Sequence, residues 1–227
     1  MSDWSSYALR DFIPFTPDVY FRLLARMGES FWPLQLFTLT LGFVVLILAV
    51  RGRGRLILGL LAPLWVFVGI AFFEHRYANL NWAGHYLCWG WLVQGGGLLV
   101  LALTGRGSNG GLSAPPGIAV TGALIALFGL LGFPLLATVL GIGWQQAEAF
   151  GLHPDPTAVV TLGLLLIVLR GWVLWLACAL PMLWIALSAL TLQVFEVPWF
   201  TALFAVLAAA IGGLIGEIWA ASPGKQD

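Results

Sequence analysis

Apolar residues in this chain form long runs that short polar or glycine-rich stretches interrupt. Seven such segments lie near 31–50, 56–73, 84–104, 117–141, 157–169, 172–193 and 198–220. Most have the length of about 17–25 residues that a helix needs to cross the hydrocarbon core of a bilayer. Because an α-helix satisfies its backbone hydrogen bonds internally, the pattern predicts an all-α, polytopic transmembrane bundle of about seven spans.

The fifth segment, 157–169, is shorter than the others. About 13 residues give about 20 Å of helix at 1.5 Å per residue, which is less than a full span. Either this helix begins earlier, near His153, or it lies where the bilayer is thin or where protein covers it.

Residues 1–30 mix charged and aromatic side chains. Thr16, Pro17 and Asp18 are typical of a helix start, as N-cap, first helical position and first-turn acid. The helix that follows has one apolar stripe (Tyr20, Leu23, Leu24, Met27) and charged residues elsewhere (Arg22, Arg26, Glu29). This pattern predicts an amphipathic helix that lies in the membrane interface or packs on the protein's own loops.

The charged residues between the segments predict the orientation. With the N-terminus outside, the inner side receives Arg51, Arg53, Arg55, Arg106, Arg170 and Lys225, and the outer side receives Arg76 and the N-terminal arginines. Arginine and lysine accumulate on the cytoplasmic side of short loops. We therefore predict a multi-pass membrane protein with an outward segment 1–30, a bundle 31–220 and a cytoplasmic tail 221–227.

Composition supports a lipid environment. Hydrophobic residues make up 60% of the chain and charged residues 9%, against about 25% charged in soluble domains. The lipid bilayer is the expected partner, and a net charge of zero argues against nucleic-acid binding. Cys88 and Cys178 lie inside apolar runs, where small core residues are more common than disulfides.

Polar residues with side chains suited to binding a ligand or a metal concentrate on the predicted outer side. The candidates for a vestibule or binding site are Glu74, His75, Arg76, Asn81, His85, Gln94, His153 and Asp155. Imidazole and carboxylate groups are ligands for transition metals, so His75, His85, His153 and Asp155 are weak metal candidates. The alternative is that these residues form hydrogen bonds at the lipid headgroups, beside interfacial tryptophan and tyrosine.

Glycines and prolines interrupt several segments. Gln94 precedes three glycines (95–97), and Pro134 and Pro181 lie inside the fourth and sixth segments. Such residues allow a broken helix at a solute path, or close packing between neighbouring helices. Glu217 is the only acid inside a predicted span, and we place it at the inner interface.

Several motifs are similar to a known family. They are Asp11-Phe12 with Phe15-Thr16-Pro17 and Tyr20, Trp32-Pro33-Leu34-Gln35, Arg76-Tyr77-Ala78 with Asn81-Trp82-Ala83, Pro154-Asp155-Pro156-Thr157 leading into 161–166, and Pro181-Met182-Leu183-Trp184. Over nearly the whole chain they resemble a bacterial multi-span membrane family that is described only as a domain of unknown function. The resemblance implies the topology and no particular activity.

The chain departs from that family between Pro154 and Pro156. Relatives often have a cysteine there and a second threonine further on, where this chain has Asp155 and Ala158. If the cysteine is a soft-metal ligand, aspartate favours a harder ion or no ion.

Two function classes remain. One is a small-solute or ion permease or channel with the polar outer vestibule, and the other is a non-catalytic accessory or scaffold subunit of a larger membrane complex or homo-oligomer. No nucleophile–base pair, phosphate loop or zinc motif is present in the sequence, so we expect neither an enzyme nor a cofactor.

Overall fold

The computed structural model describes residues 13–108, 114–141 and 143–221, and within them it contains helices and no strand. The all-α prediction is therefore confirmed. The α-helices are α1 (Pro17–Ser30), α2 (Leu34–Val50), α3 (Gly54–Val68), α4 (Ala83–Thr104), α5 (Pro116–Leu127), α6 (Phe133–Val139), α7 (Pro154–Val168), α8 (Gly171–Val194) and α9 (Phe200–Ala221). A π-helical segment, Gly69–Glu74, continues α3, and another, Phe128–Gly132, joins α5 to α6.

Helix α7 forms the centre of the bundle. Every one of its residues is buried, and α2, α3, α5, α8 and α9 all contact it. Its 15 residues correspond to about 22 Å of helix. It begins at Pro154, with His153 as its N-cap, so the earlier start is confirmed. A short helix can occupy this position because neighbouring helices, rather than lipid, surround it on every side.

Five helices are long and apolar enough to cross a membrane: Gly54–Asn79, Ala83–Thr104, Pro116–Val139, Gly171–Val194 and Phe200–Ala220. Helix α2 has 17 residues and reaches the required length only together with α1, to which it is bent by 89°. The described helices therefore give five or six spans, and the predicted seven are not confirmed. They are compatible with a membrane protein.

The arginine-rich turns meet at one end of the bundle, which we call the arginine end. Arg55 donates from Nε to the carbonyl oxygen of Ala102 at 2.8 Å, at the end of α4. The backbone N–H of Arg170 donates to the oxygen of Gly107 at 3.0 Å. At the same end, Glu217 accepts a hydrogen bond of 2.9 Å from the N–H of Gly171 and so caps α8. Glu217 thus has a structural role beside Arg170, as expected for a charge near the end of the bundle.

The opposite end is built from the α1–α2 junction and the turns at 75–83, 144–153 and 195–199. The guanidinium carbon of Arg76 lies 5.2 Å from the centroid of the Phe31 ring. Phe21 packs against Trp199. Gln35 donates to the carbonyl oxygen of Gln145 at 3.1 Å. Successive helices therefore run alternately between the two ends. The tail from 222 onwards, with Lys225, and the first 12 residues lie outside the described residues.

Helix α1 begins as its sequence indicates, with Thr16 as N-cap and proline at the first position. The threonine side chain makes no capping hydrogen bond. Tyr20, Leu24 and Met27 are buried against the bundle, while the charged side chains on the other faces are exposed. Of the two predicted alternatives, the structure shows the apolar stripe packed on the protein itself.

Glycine allows neighbouring helices of this bundle to pack closely. Helix α4 runs unbroken through the triplet, and a Cβ on Gly95 would lie 2.8 Å from Val66 and 3.0 Å from the oxygen of Ala62 on α3. Before Pro134, the wider turns of the π-helical segment accommodate a residue that has no backbone N–H to donate. The structure therefore shows close packing at Gly95, whereas a Cβ on Gly96 or Gly97 would meet nothing within 4 Å.

Candidate functional site

A cluster of polar side chains is buried at the N-terminal end of α7, opposite the arginine end. We call it the acid cluster, and its members are Glu148, His153, Asp155, Tyr20 and Ser188. His153 is the N-cap of α7 and Asp155 lies in its first turn. Because the surrounding helices exclude water, each polar group there needs a partner inside the protein.

Asp155 is held by two donors from α8. The indole Nε1 of Trp184 donates to Oδ1 at 2.8 Å, and the hydroxyl of Ser188 donates to Oδ2 at 2.6 Å. Trp184 and Ser188 are four residues apart, which places both side chains on the face of α8 that meets α7. The hydroxyl of Tyr20, from α1, lies beside Ser188. Three helices therefore converge on one carboxylate.

His153 is fixed in one tautomer by two backbone groups. The N–H of Ala149 donates to its Nδ1 at 3.0 Å, and its Nε2 lies 3.0 Å from the carbonyl oxygen of Leu24. A carbonyl can only accept, so Nε2 carries the hydrogen and the ring is neutral. Burial is the main cause that lowers the pKa of His153 to about 4. This side chain ties α1 to the loop before α7.

Acidification is expected to destabilise the fold through His153. Its pKa is about 4 in the folded protein and about 6.5 when unfolded, so the unfolded chain takes up the proton first as the pH falls. The stability contributed by the neutral ring is complete above pH 6.5 and is lost toward pH 4, by about 3 kcal/mol at most.

Thermal unfolding of detergent-solubilised protein between pH 7 and pH 4 measures this effect. Glu148 titrates in the opposite sense, so the informative quantity is the difference between wild type and His153→Gln, whose amide also donates and accepts. We expect the variant to lose less stability than wild type over that range. Parallel curves would show that His153 does not carry the pH dependence.

Two threonines of α7 complete the packing of its N-terminal half. Thr157 accepts a hydrogen bond of 2.8 Å from the N–H of Gly151 and donates to the oxygen of His153 at 2.6 Å. Thr161 accepts from the indole of Trp65 at 2.9 Å. The loop before α7 and helix α3 are thereby fixed to the central helix.

Replacing Trp65 with phenylalanine is expected to lower the free energy of unfolding by about 1–3 kcal/mol, since the change removes the indole donor, leaves Thr161 without it and reduces buried volume. Trp172→Phe is the matched control because Trp172 is 70% exposed. Thermal unfolding in the same detergent compares the two. Equal losses for both variants would contradict a structural role for the Trp65 hydrogen bond.

Glu148 differs from the other members of the acid cluster. Its Oε2 atom is buried and has no hydrogen-bond partner among the described residues, although part of the residue remains accessible. Burial, and secondarily the charge of Asp155, raise the pKa of Glu148 well above its ordinary value. The two carboxyl groups thus interact electrostatically, and the buried Glu148 carboxyl favours the protonated form when nothing positive is near it.

The predicted vestibule residues separate into several places. Glu74 and His85 form an exposed pair with a distance of 3.0 Å from Nδ1 to Oε2. Arg76 donates to the oxygen of Ala71 at 2.6 Å, and Asn81 accepts from the N–H of Ala83 at the start of α4. Gln94 is buried and donates to the oxygen of Ala177 on α8 at 2.9 Å. Each of these groups already has a partner within the protein.

The three histidines occupy different environments. His153 is buried in the acid cluster, His85 is paired with Glu74 at the surface, and His75 is exposed beside α1. Within the described ranges, no group of three or more histidine, cysteine or acidic side chains is arranged to hold a metal ion. Of the predicted site residues, the structure pairs Glu74 with His85 at the surface and places His153 and Asp155 in the acid cluster.

A second feature is an aromatic cavity of about 610 Å³ between α4 and α8. Its inner wall contains Trp65, Trp91 and Trp184, with the rings of Trp65 and Trp91 stacked at a centroid distance of 4.0 Å. Asn81 is the one predicted site residue that lines it. Since the indoles of Trp65 and Trp184 point to Thr161 and Asp155, they separate this cavity from the polar residues of α7.

Sequence reasoning missed three members or partners of the acid cluster. Tyr20 belongs to an apolar stripe, Trp184 is typical of a core or interface residue, and Ser188 is an ordinary small residue of a span. The available signal was the spacing of Trp184 and Ser188, which share one face of α8. Glu148 is a fourth residue that is absent from the predicted site, and only the folded chain shows that its Oε2 atom is buried.

Comparison with known proteins identifies one family. Residues 17–221 match a family described as "Family of unknown function (DUF6064)". No curated protein and no solved structure matches the chain significantly. Because the match covers most of the chain, the protein belongs to the DUF6064 family.

Proposed function

We propose that the protein is a small-solute or ion permease whose working site is the acid cluster. The observation that carries the proposal is a pair of interacting carboxyl groups, the buried Asp155 and the partly buried Glu148, at one end of a bundle of apolar helices. Ionisable groups in such bundles are costly and typically mark pathways for ions, protons or substrates. A solely structural acid needs partners for all its polar atoms, and Glu148 Oε2 has none among the described residues.

The proposed orientation places the acid cluster at the outer face of a bacterial inner membrane. Five arginines lie at the arginine end (Arg51, Arg53, Arg55, Arg106, Arg170), against three described arginines at the other end (Arg22, Arg26, Arg76). The excess of positive charge favours the arginine end as the cytoplasmic one. The acid cluster then faces outward beneath α1, where a substrate would enter.

Flux into proteoliposomes tests this proposal. Vesicles loaded with a pH-sensitive dye are offered a panel of inorganic and organic cations, and internal pH and solute uptake are recorded. We expect wild type to move at least one solute and Glu148→Gln to reduce that flux at least about tenfold, because the variant cannot take up or release a proton at this site.

His85→Ala is the control, since His85 lies at the surface, away from the acid cluster. This variant is expected to retain wild-type flux. Folded wild-type protein that moves none of the solutes, or a Glu148→Gln variant as active as wild type, would overturn the proposal.

One observation favours the alternative of an accessory subunit. Trp82, Tyr86 and Trp89 are 74%, 70% and 68% exposed and lie along one side of α4, which suits contact with a partner helix as well as with lipid. The accessory role predicts a partner, or a second copy of the chain, that co-purifies in mild detergent and is lost in Trp82→Ala/Trp89→Ala. A monomer that is active in liposomes would exclude the need for one.

A further inference from the structure

A cavity of about 390 Å³ lies directly beside Glu148, beneath α1. Phe21 and Arg22 of α1, Phe133 of α6, Trp199 and the 146–148 turn contribute to its wall. Its volume falls within the range of about 300–1,000 Å³ that small-molecule sites occupy. It is distinct from the aromatic cavity between α4 and α8, with which it shares no lining residue.

The chemistry of the wall selects the charge of a ligand. Glu148 is a carboxyl group without a hydrogen-bond partner at Oε2 among the described residues. Oε2 itself is buried, so a ligand in the cavity meets the accessible part of the Glu148 side chain, and a carboxylate there gains most from a donor that carries positive charge. The rings of Phe21, Phe133 and Trp199 also favour a cation, since their faces are electronegative. An ionised Glu148 carboxylate and the faces of these rings would both repel an anionic ligand.

Other features of the cavity narrow the chemical class of the ligand further. The wall is mostly apolar, which favours a ligand with a hydrocarbon part over a bare, strongly hydrated ion. Within the described residues, no site with three or more ionisable metal ligands exists, and no arginine or lysine forms an ion pair with Glu148. Arg22 is exposed, so its charge is solvated and only weakly opposes a cation in the cavity.

We propose that the cavity beside Glu148 binds a small organic ammonium, with the ammonium group on the Glu148 carboxylate and its hydrocarbon part against the aromatic wall. This inference rests on the proposed function and names the substrate class of the permease. Because burial raises the pKa of the Glu148 carboxyl in the empty site, binding of an ammonium is expected to release protons from Glu148. The site therefore exchanges a proton for an organic cation.

Calorimetric titration of purified protein in detergent with 2-phenylethylamine and 2-phenylethanol tests the inference. The two probes have the same hydrocarbon part and differ in charge. We expect the amine to bind at least about tenfold more tightly than the alcohol. Titrations in buffers of different ionisation enthalpy are expected to show that protons are released when the amine binds.

Glu148→Gln is expected to reduce the affinity for the amine to that for the alcohol and to abolish proton release. The affinity for the alcohol stays unchanged, which also confirms that the variant is folded. Asp18→Asn, on the exposed side of α1, retains both properties. Equal binding of the two probes by wild type, or amine binding that Glu148→Gln leaves intact, would overturn the inference.

The results separate this inference from the proposed function. Amine binding through Glu148 without flux in liposomes supports the ammonium site and overturns the permease. Flux of other solutes by a protein that does not bind the amine supports the permease and overturns the ammonium site.

Discussion

Replacing Gly163 with valine is expected to prevent the bundle from folding. Gly163 of α7 and Gly122 of α5 face each other at the closest approach of these helices. A Cβ on Gly163 would lie 2.6 Å from the backbone nitrogen of Ala126 and would overlap the carbonyl oxygen of Gly122. Neither atom can move without displacing a helix. We expect a loss of at least about 4 kcal/mol, a large part of the stability of an ordinary domain.

Gly97→Val is the matched control, because a Cβ on Gly97 meets nothing within 4 Å. Both variants add the same side chain to the interior of a helix. Size-exclusion chromatography in mild detergent is expected to show a monodisperse peak for Gly97→Val and aggregated or absent protein for Gly163→Val. A well-folded Gly163→Val protein would mean that α5 and α7 do not approach each other through these glycines.

Replacing Asp155 with alanine is expected to have the second largest effect. The change leaves the indole of Trp184 and the hydroxyl of Ser188 without their acceptor in a buried site. Each unsatisfied group costs about 1–3 kcal/mol, so we expect a loss of about 2–5 kcal/mol. Thermal unfolding followed by size-exclusion chromatography measures it.

Asp155→Asn distinguishes the contribution of the two hydrogen bonds to stability from the contribution of the charge. Its amide oxygen can accept from Trp184, and its amide nitrogen can donate to the Ser188 hydroxyl, so the expected loss is below about 1 kcal/mol. Asp18→Ala, an exposed acid in α1, is expected to be neutral. If Asp155→Ala were as stable as Asp155→Asn, the two hydrogen bonds would not hold α8 to α7.

Much of the architecture was predictable because the helices depend on local patterns. The apolar segment 84–104 and helix α4 (Ala83–Thr104) agree within one residue at the N-terminal end. Thr16 and Pro17 mark the start of α1 because N-cap and first-turn preferences act within a few residues. The buried, free state of Cys88 and Cys178 also follows from their apolar surroundings.

Helix neighbours and burial were not predictable in the same way, because they depend on contacts between distant residues. Nothing local in the sequence shows that protein surrounds 157–169 on every side, so its length alone made it appear a weak span. His85 lies in the first turn of α4 and His153 is the N-cap of α7, yet His85 is exposed and His153 is buried beneath α1. The polar pattern predicted candidates, and only packing distinguishes a surface pair from the acid cluster.

The most direct measurement for the whole account is the accessibility of single cysteines at the two ends of the bundle. In a background without Cys88 and Cys178, Trp144→Cys and Arg106→Cys each place a thiol at an exposed position. A membrane-impermeant maleimide is applied to intact, right-side-out vesicles and again after permeabilisation. We predict that Trp144→Cys is labelled in intact vesicles and that Arg106→Cys is labelled only after permeabilisation. Labelling of both positions in intact vesicles would contradict a bundle that spans the membrane with the acid cluster at its outer face.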